Sequence, residues 1–343
     1  MKVKKPIIII LGEPNSVFTE ILSKVLNKSS IKKKINYPII IVGSKSLILS
    51  QLKKLKQKLN FTVINRKFLK NKLLKNKIFL IDKKYNFKYP FEPISKNSKS
   101  YLTECFKEGL KLLNLNISNI IINGQISKKH FLQNKHPGIT EYIFDKSKKK
   151  ISKNPVMLIY NKKLSVSPLT THIPLKSVYK KINRQTIIDN VSTIFNFYKS
   201  KFRKNPKIAI LGLNPHCETQ SKNNEELKII LPAIKNLKKK NIKVYGPFSA
   251  DTFFSKKNIS TYDSIIGMYH DQVLTPFKTI FGFEASNITL GLPFLRMSVD
   301  HGPNETMIGK NKSNPKSLEE IFNFIYSIKW RFFQKNHLDK IFF

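Results

Sequence analysis

Three histidines each close an apolar run. His172 ends LSVSPLTTH, His216 ends KIAILGLNPH and His270 ends DSIIGMYH. Each run reads as a buried strand with a polar tip. In α/β proteins the carboxyl ends of strands line the binding crevice. Three imidazoles delivered there can hold a divalent metal and leave a coordination position open for substrate. A single strand-end histidine is more often a satisfied loop or core residue. Three such tips among only seven histidines put a metal centre on an equal footing with that bland reading. The spacing is long-range, unlike the compact HExxH signature. Neutral imidazole is the ligand form, so such a site should weaken as pH falls through the histidine range.

The elements that must position these tips follow from alternation along the chain. Short β-rich runs fall at 6–11, 38–43, 77–82, 119–123, 155–160, 164–172, 207–213, 243–246, 263–270 and 287–299. Longer amphipathic runs, at 17–27, 45–58, 98–115, 176–202, 225–240 and 317–333, read as helices. Strand–helix alternation predicts an α/β fold with helices on a largely parallel sheet. The helix at 225–240 places acids first and lysines last, matching its dipole. Ser317-Leu-Glu-Glu320 has a capping-box pattern, and the polar, basic stretch 144–154 reads as a loop between lobes. No GxGxxG is present: Gly12-Glu13-Pro14 opens like a phosphate loop, but no glycine follows through Glu20. A Rossmann dinucleotide site is therefore not supported, nor is a Walker A or GxSxG site.

A chain of 343 residues is long enough for two lobes around a large core. No apolar stretch approaches the roughly 18 residues of a membrane span. The start, MKVKKPIIIILGEP, is basic and then apolar, but its short apolar run reads as a first strand and not as a signal peptide. Two cysteines, Cys105 and Cys217, give no disulfide framework, which fits the cytoplasm. Cys217 beside His216 reads as a small neighbour more than as a metal contact. The net charge of +42 would ordinarily suggest nucleic acid. Here the lysines are spread along the whole chain, in runs such as 32–34, 148–150 and 238–240, among many Ile and Asn residues, as A/T-rich coding would produce. No RNA-binding motif accompanies them. No specific nucleic-acid partner and no membrane partner is expected, and a basic binder with a vestigial site is the reading from another class. The charge does favour anionic substrates.

Four segments carry the chemistry: Thr170-Thr171-His172-Ile173-Pro174-Leu175, Gly212-Leu213-Asn214-Pro215-His216, Tyr269-His270-Asp271-Gln272, and the run from Asn287 to Gly302 containing Arg296, Asp300 and His301. With Ala250-Asp251-Thr252, these motifs stand in an order and spacing that resembles the 4-hydroxythreonine-4-phosphate dehydrogenase family of vitamin B6 biosynthesis. The resemblance spans essentially the whole chain and is strongest over 155–302. It implies a fold like that of isocitrate and isopropylmalate dehydrogenases, with two α/β lobes around a cleft. Residues 1–125 with 286–343 would form one lobe, and 126–285 the other, which carries the metal histidines and dimer contacts. It also implies a homodimer with the active site at the interface, and NAD (NADP as the variant) bound without the Rossmann fingerprint.

The implied reaction oxidises 4-phosphooxy-L-threonine at C3 and decarboxylates the product to 3-amino-2-oxopropyl phosphate, in pyridoxine 5'-phosphate biosynthesis. By the same resemblance His172, His216 and His270 hold a divalent metal (zinc, magnesium or cobalt). Asp251 and Asp271 orient imidazoles or relay a proton; their bland alternatives are a helix N-cap and a strand-end turn. Lys278 serves catalysis and, with Thr140, Asn287 and Arg296, binds the phosphorylated substrate.

The chain departs from the family where Ile139 replaces a substrate-binding histidine, with His136 the nearest imidazole that could stand in. It departs again in the loop after Gly12-Glu13-Pro14, and where Asn123-Gly124-Gln125-Ile126-Ser127-Lys128 replaces Thr-Gly-Pro-x-x-Lys. The alternative reading keeps fold and metal but takes a different phosphorylated hydroxy acid, or describes a catalytically weakened homologue.

Overall fold

The computed structural model describes residues 5–70, 73–133, 135–217 and 224–328. Twelve strands form one sheet: β1 (Ile7–Ile10), β2 (Ile39–Gly43), β3 (Thr62–Val63), β4 (Ile78–Asp82), β5 (Ile120–Asn123), β6 (Val156–Tyr160), β7 (Ser165–Pro168), β8 (Ile208–Leu211), β9 (Val244–Phe248), β10 (Ser264–Gly267), β11 (Ser286–Leu290) and β12 (Leu295–Val299). Their order is β3-β4-β2-β1-β5-β12-β11-β6-β7-β10-β8-β9. β3 through β12 in this order run parallel, β11 is antiparallel to both β12 and β6, β6 is antiparallel to β7, and β7-β10-β8-β9 are again parallel. The expected α/β class is what the structure has.

Strand β1 shows why the central strands lack polar alternation. Ile7 and Ile9 pack into one core cluster with the helices Phe18–Asn27 and Lys316–Ser327, while Ile8 and Ile10 pack into another with the helix Ser98–Asn114. All four isoleucines are fully buried, because helices cover both faces of a parallel sheet. A third cluster packs the helix His270–Phe281, through Val273, Leu274 and Phe277, under β7, β8 and β10.

Several expectations are corrected. The run 287–299 is two antiparallel strands, because Gly291 (φ +89°) and Pro293 break it into the hairpin β11–β12. The strand expected through 270 stops at Gly267, and His270 opens a helix; β7 likewise stops at Pro168. The stretch 176–202 divides at Asn183, which caps the helix Arg184–Phe202 reciprocally with Thr186. Residues 139–146 form a helix, so the loop expected from 144 begins at 147. Ser317 is no cap: the last helix starts at Lys316, and Ser317 Oγ instead donates to the Ala285 carbonyl and accepts the Asp300 N–H. The expected end of that helix, 329–333, lies outside the described residues.

Candidate active site

The hairpin register builds a buried cation. Arg296 on β12 faces Thr289 on β11 directly across the pair. Its guanidinium is fully buried, donating from Nε to Asn123 Oδ1 (2.8 Å) and from Nη1 to Thr289 Oγ1 (2.9 Å) and Thr140 Oγ1 (3.3 Å). Nη2 has no partner, and among the described residues no carboxylate pairs with this guanidinium. Burial pushes its pKa down to about 10, with the charge of Glu141 opposing, so it remains a cation at neutral pH. Asn287, on the same face of β11 as Thr289, also leaves its Oδ1 unpartnered. A buried cation held by neutral groups, with a free N–H, is suited to a phosphate or carboxylate oxygen. Thr140, Asn287 and Arg296 thus share one neighbourhood.

Thr140 lies in the first turn of the helix Ile139–Lys146, and this helix start abuts the imidazoles. A Cβ at Gly138 would stand 3.0 Å from the His172 ring, so glycine is what permits the approach. The rings of His172 and His270 lie 5.9 Å apart. His172 follows β7, His270 follows β10, His216 follows β8 and Asp251 follows β9, four neighbouring parallel strands. His270 Nδ1 is 2.7 Å from Asp271 Oδ1, an orienting contact in the first turn of the helix and not in a strand-end turn. Burial, with the charges of Lys128 and His270, pushes His172 down to about 4. Although its residue surface is exposed overall, the ring is crowded by Gly138 and His270, and it stays neutral at physiological pH.

His216 stands apart. Its backbone is left-handed (φ 54°), and its exposed imidazole lies 3.7 Å from Asp251 Oδ2. Asp251 is in the first turn of the short helix Ala250–Phe253, with Ser249 at the cap. Its carboxyl sits below the usual range, chiefly through the Ser249 hydroxyl. The three histidines therefore do not converge within one chain, because the loop reversal at His216 turns its ring to Asp251. Among the described residues no group of three or more His, Cys, Asp or Glu could hold a metal ion.

Lys278 Nζ reaches Asp300 Oδ2 (3.2 Å) and the Asp300 carbonyl (3.2 Å). Burial raises the Asp300 carboxyl against the pull of Lys278. His301 Nδ1 then meets Gln125 Nε2 at 3.3 Å, and the Gln125 carbonyl accepts the Glu13 N–H at 2.7 Å. Asn123, Thr289 and Asp300 lie in the motif segments, but the sequence reading gave none of them its own contact at the site. Ile139 packs against the apolar cluster behind the helix. His136 does not replace the missing imidazole: it pairs with Asp145 (3.2 Å) and stacks edge-on against Tyr142.

A family model described as pyridoxal phosphate biosynthetic protein PdxA matches residues 34–325. The chain belongs to the PdxA family. Among relatives named 4-hydroxythreonine-4-phosphate dehydrogenase, two are matched along most of the chain. That from a Sulfurihydrogenibium species is 38% identical over 330 residues, covering 94% of this chain and 97% of its own. That from Aquifex aeolicus is 35% identical over 318 residues, covering 91% and 95%. The fold matches a solved 4-hydroxythreonine-4-phosphate dehydrogenase from Klebsiella pneumoniae with a TM-score of 0.78 at 24% identity, covering 94% and 98%. The PdxA chain is thus of a dehydrogenase family, and among its described residues no helix is long and apolar enough to cross a membrane.

The donor chemistry fits a divalent cation: neutral imidazole with carboxylate-oriented partners is a zinc-type set. One chain presents that set as two parts, His172 with His270 and His216 with Asp251.

Proposed function

We propose that the protein oxidises 4-phosphooxy-L-threonine at C3 with NAD as the hydride acceptor, with decarboxylation giving 3-amino-2-oxopropyl phosphate. The observation that carries this is the Arg296 guanidinium, buried without a carboxylate and keeping Nη2 free. Arg296, with Asn287 and Thr140, grips an anionic end of the substrate, and Lys278 supplies a second cation over Asp300. The other end of the substrate then lies toward His172 and His270, because Gly138 brings the Thr140 helix against the His172 ring. A divalent cation held by His172, His270 and His216 would supply positive charge to the C3 oxygen, polarising the hydroxyl for hydride loss. Asp271 holds the His270 ring in place at 2.7 Å, and Asp251, 3.7 Å from His216 Nδ1, draws that ring by its charge.

Because one chain leaves the donor set in two parts, we assign the working unit as a homodimer. Leu175 and Tyr179, shortly after His172, leave apolar surface exposed (70% and 53%) where a second copy would cover it. The lobes are taken as 1–125 with 286–343 and 126–285, with a cleft between them, in the cytoplasm. The test is NADH formation from 4-phosphooxy-L-threonine with Zn2+, Mg2+ or Co2+ added; no turnover with any of the three would sink the reading. Ile139 favours one alternative: an apolar side chain replaces a hydrogen-bond donor, which would suit a different phosphorylated hydroxy acid. Turnover of such a compound in preference to 4-phosphooxy-L-threonine would support it.

A further inference from the structure

The loops bearing the three histidines are tied together by side chains outside the ligand set. Gln272, two residues after His270, accepts the Met268 N–H on Oε1 and donates from Nε2 to the Gly212 carbonyl, both at 2.7 Å. Thr170 Oγ1 donates to the Met268 carbonyl at 2.7 Å. The loops after β7, β10 and β8 are thereby linked in sequence.

From the other side, Glu226 takes hold of the same segment. It is 1% exposed, and its Oε1 receives the N–H groups of Leu213 (2.7 Å) and Asn214 (2.9 Å). Its Oε2 receives Asn214 Nδ2 at 2.9 Å. A buried carboxylate is tolerated only with such donors, and here the donors are the loop itself. The fit is close: a Cβ at Gly212 would lie 3.1 Å from Glu226 Oε1 and 2.6 Å from Cys217 Sγ. Beyond the clamped segment, His216 and Cys217 are both left-handed (φ 54° and 58°). Two successive non-glycine residues hold that conformation only where their surroundings impose it.

We propose that Glu226 and Gln272 are positioning residues that clamp Gly212–Asn214 between them and so set the place of the His216 imidazole. The clamp stands on hydrogen bonds alone; its consequence for metal binding rests on the proposed metal centre. Removing a partner that orients a metal ligand commonly lowers metal affinity about 10–100-fold.

The test uses full-length protein with two readouts, Zn2+ affinity by titration and amide hydrogen exchange on the metal-free form. Glu226→Ala and Gln272→Ala are expected to weaken Zn2+ binding about 10–100-fold. They should also speed exchange at Leu213 and Asn214 (Glu226→Ala) and at Met268 (Gln272→Ala), leaving distant amides unchanged. Glu226→Gln keeps an oxygen for both N–H groups but sets an amide nitrogen against Asn214 Nδ2, and should recover part of the affinity. Gln272→Glu sets a carboxylate oxygen against the Gly212 carbonyl and should not. A role in general stability would lower the melting temperature and leave the Zn2+ affinity of the folded variants at the wild-type value. That result, or unchanged exchange at these amides, overturns the inference. Failure of wild-type protein to bind Zn2+, or full binding by His216→Ala, would instead sink the metal reading, and the exchange rates still decide whether the clamp exists.

Discussion

Arg296 works at the residue scale because each of its nitrogens has a separate task. Nε and Nη1 are spent on Asn123, Thr289 and Thr140, and Nη2, which has no partner, is the nitrogen that the proposed function gives to the substrate. Lysine offers a point charge and no fork. Arg296→Lys is therefore expected to lower kcat/KM about 100-fold, near 2.7 kcal/mol of transition-state binding; steady-state kinetics would show it, and wild-type values would contradict the role. Asn123→Ala strands a buried donor and should cost about 1–3 kcal/mol in urea unfolding. Ile139→His should lower KM for 4-phosphooxy-L-threonine if that is the substrate; an unchanged or raised KM would point to a different ligand. Arg296 was legible in the sequence, being one of five arginines and standing where the family resemblance implies a substrate contact. Its partners were not. Taken as one strand, 287–299 would put Thr289 and Arg296 seven residues apart on opposite faces, whereas the hairpin makes them direct partners.

Among the elements, the β11–β12 turn holds this register. A Cβ on Gly291 would lie 2.1 Å from Ser152 Oγ, at a φ of +89°. Gly291→Ala should destabilise the protein by about 2 kcal/mol and raise KM together, whereas an effect on stability alone would separate the turn from the site. The loop after β1 carries a pH-dependent term. Glu13 is 2% exposed, and burial pushes its carboxyl up to about 7, against a hydrogen bond from Ser98. A carboxyl raised in the folded state is protonated there while the unfolded chain has already ionised near 4.5. Its contribution is complete below about 4.5 and is lost as pH rises through about 7. Glu13→Gln should therefore gain on wild type by about 2 kcal/mol between pH 5 and pH 8, and parallel stability curves for the two proteins would refute the assignment. The strand-end histidines were readable from their apolar runs. The helix starting at His270 was not, because Gly267 to Tyr269 continue the apolar pattern across the junction.

For the whole molecule, charge and assembly are the measurable properties. With a net charge of +42, anionic substrates are drawn in over long range. The screening length shrinks from about 30 Å at 0.01 M salt to about 3 Å at 1 M, so KM should rise steadily with NaCl; a flat profile would confine recognition to Arg296 and its neighbours. Leu175→Asp with Tyr179→Asp should yield monomers by light scattering and weaken metal binding with dimer loss. Monomers that bind metal normally would remove the partner from the site. Composition gave the charge and its pull on anions, whereas assembly was implied only by the family resemblance.

The place of β12 has a consequence for the order of events during synthesis. Residues 295–299 sit between β5 and β11, so the edge of β5 stays open until those residues, about 170 positions later, have left the ribosome. Until then Ile120–Asn123 presents unpaired backbone groups on an apolar strand, a template for joining another nascent chain. A fragment ending before β11 should therefore aggregate where the full chain stays dispersed, and adding a peptide of residues 286–300 should suppress that aggregation.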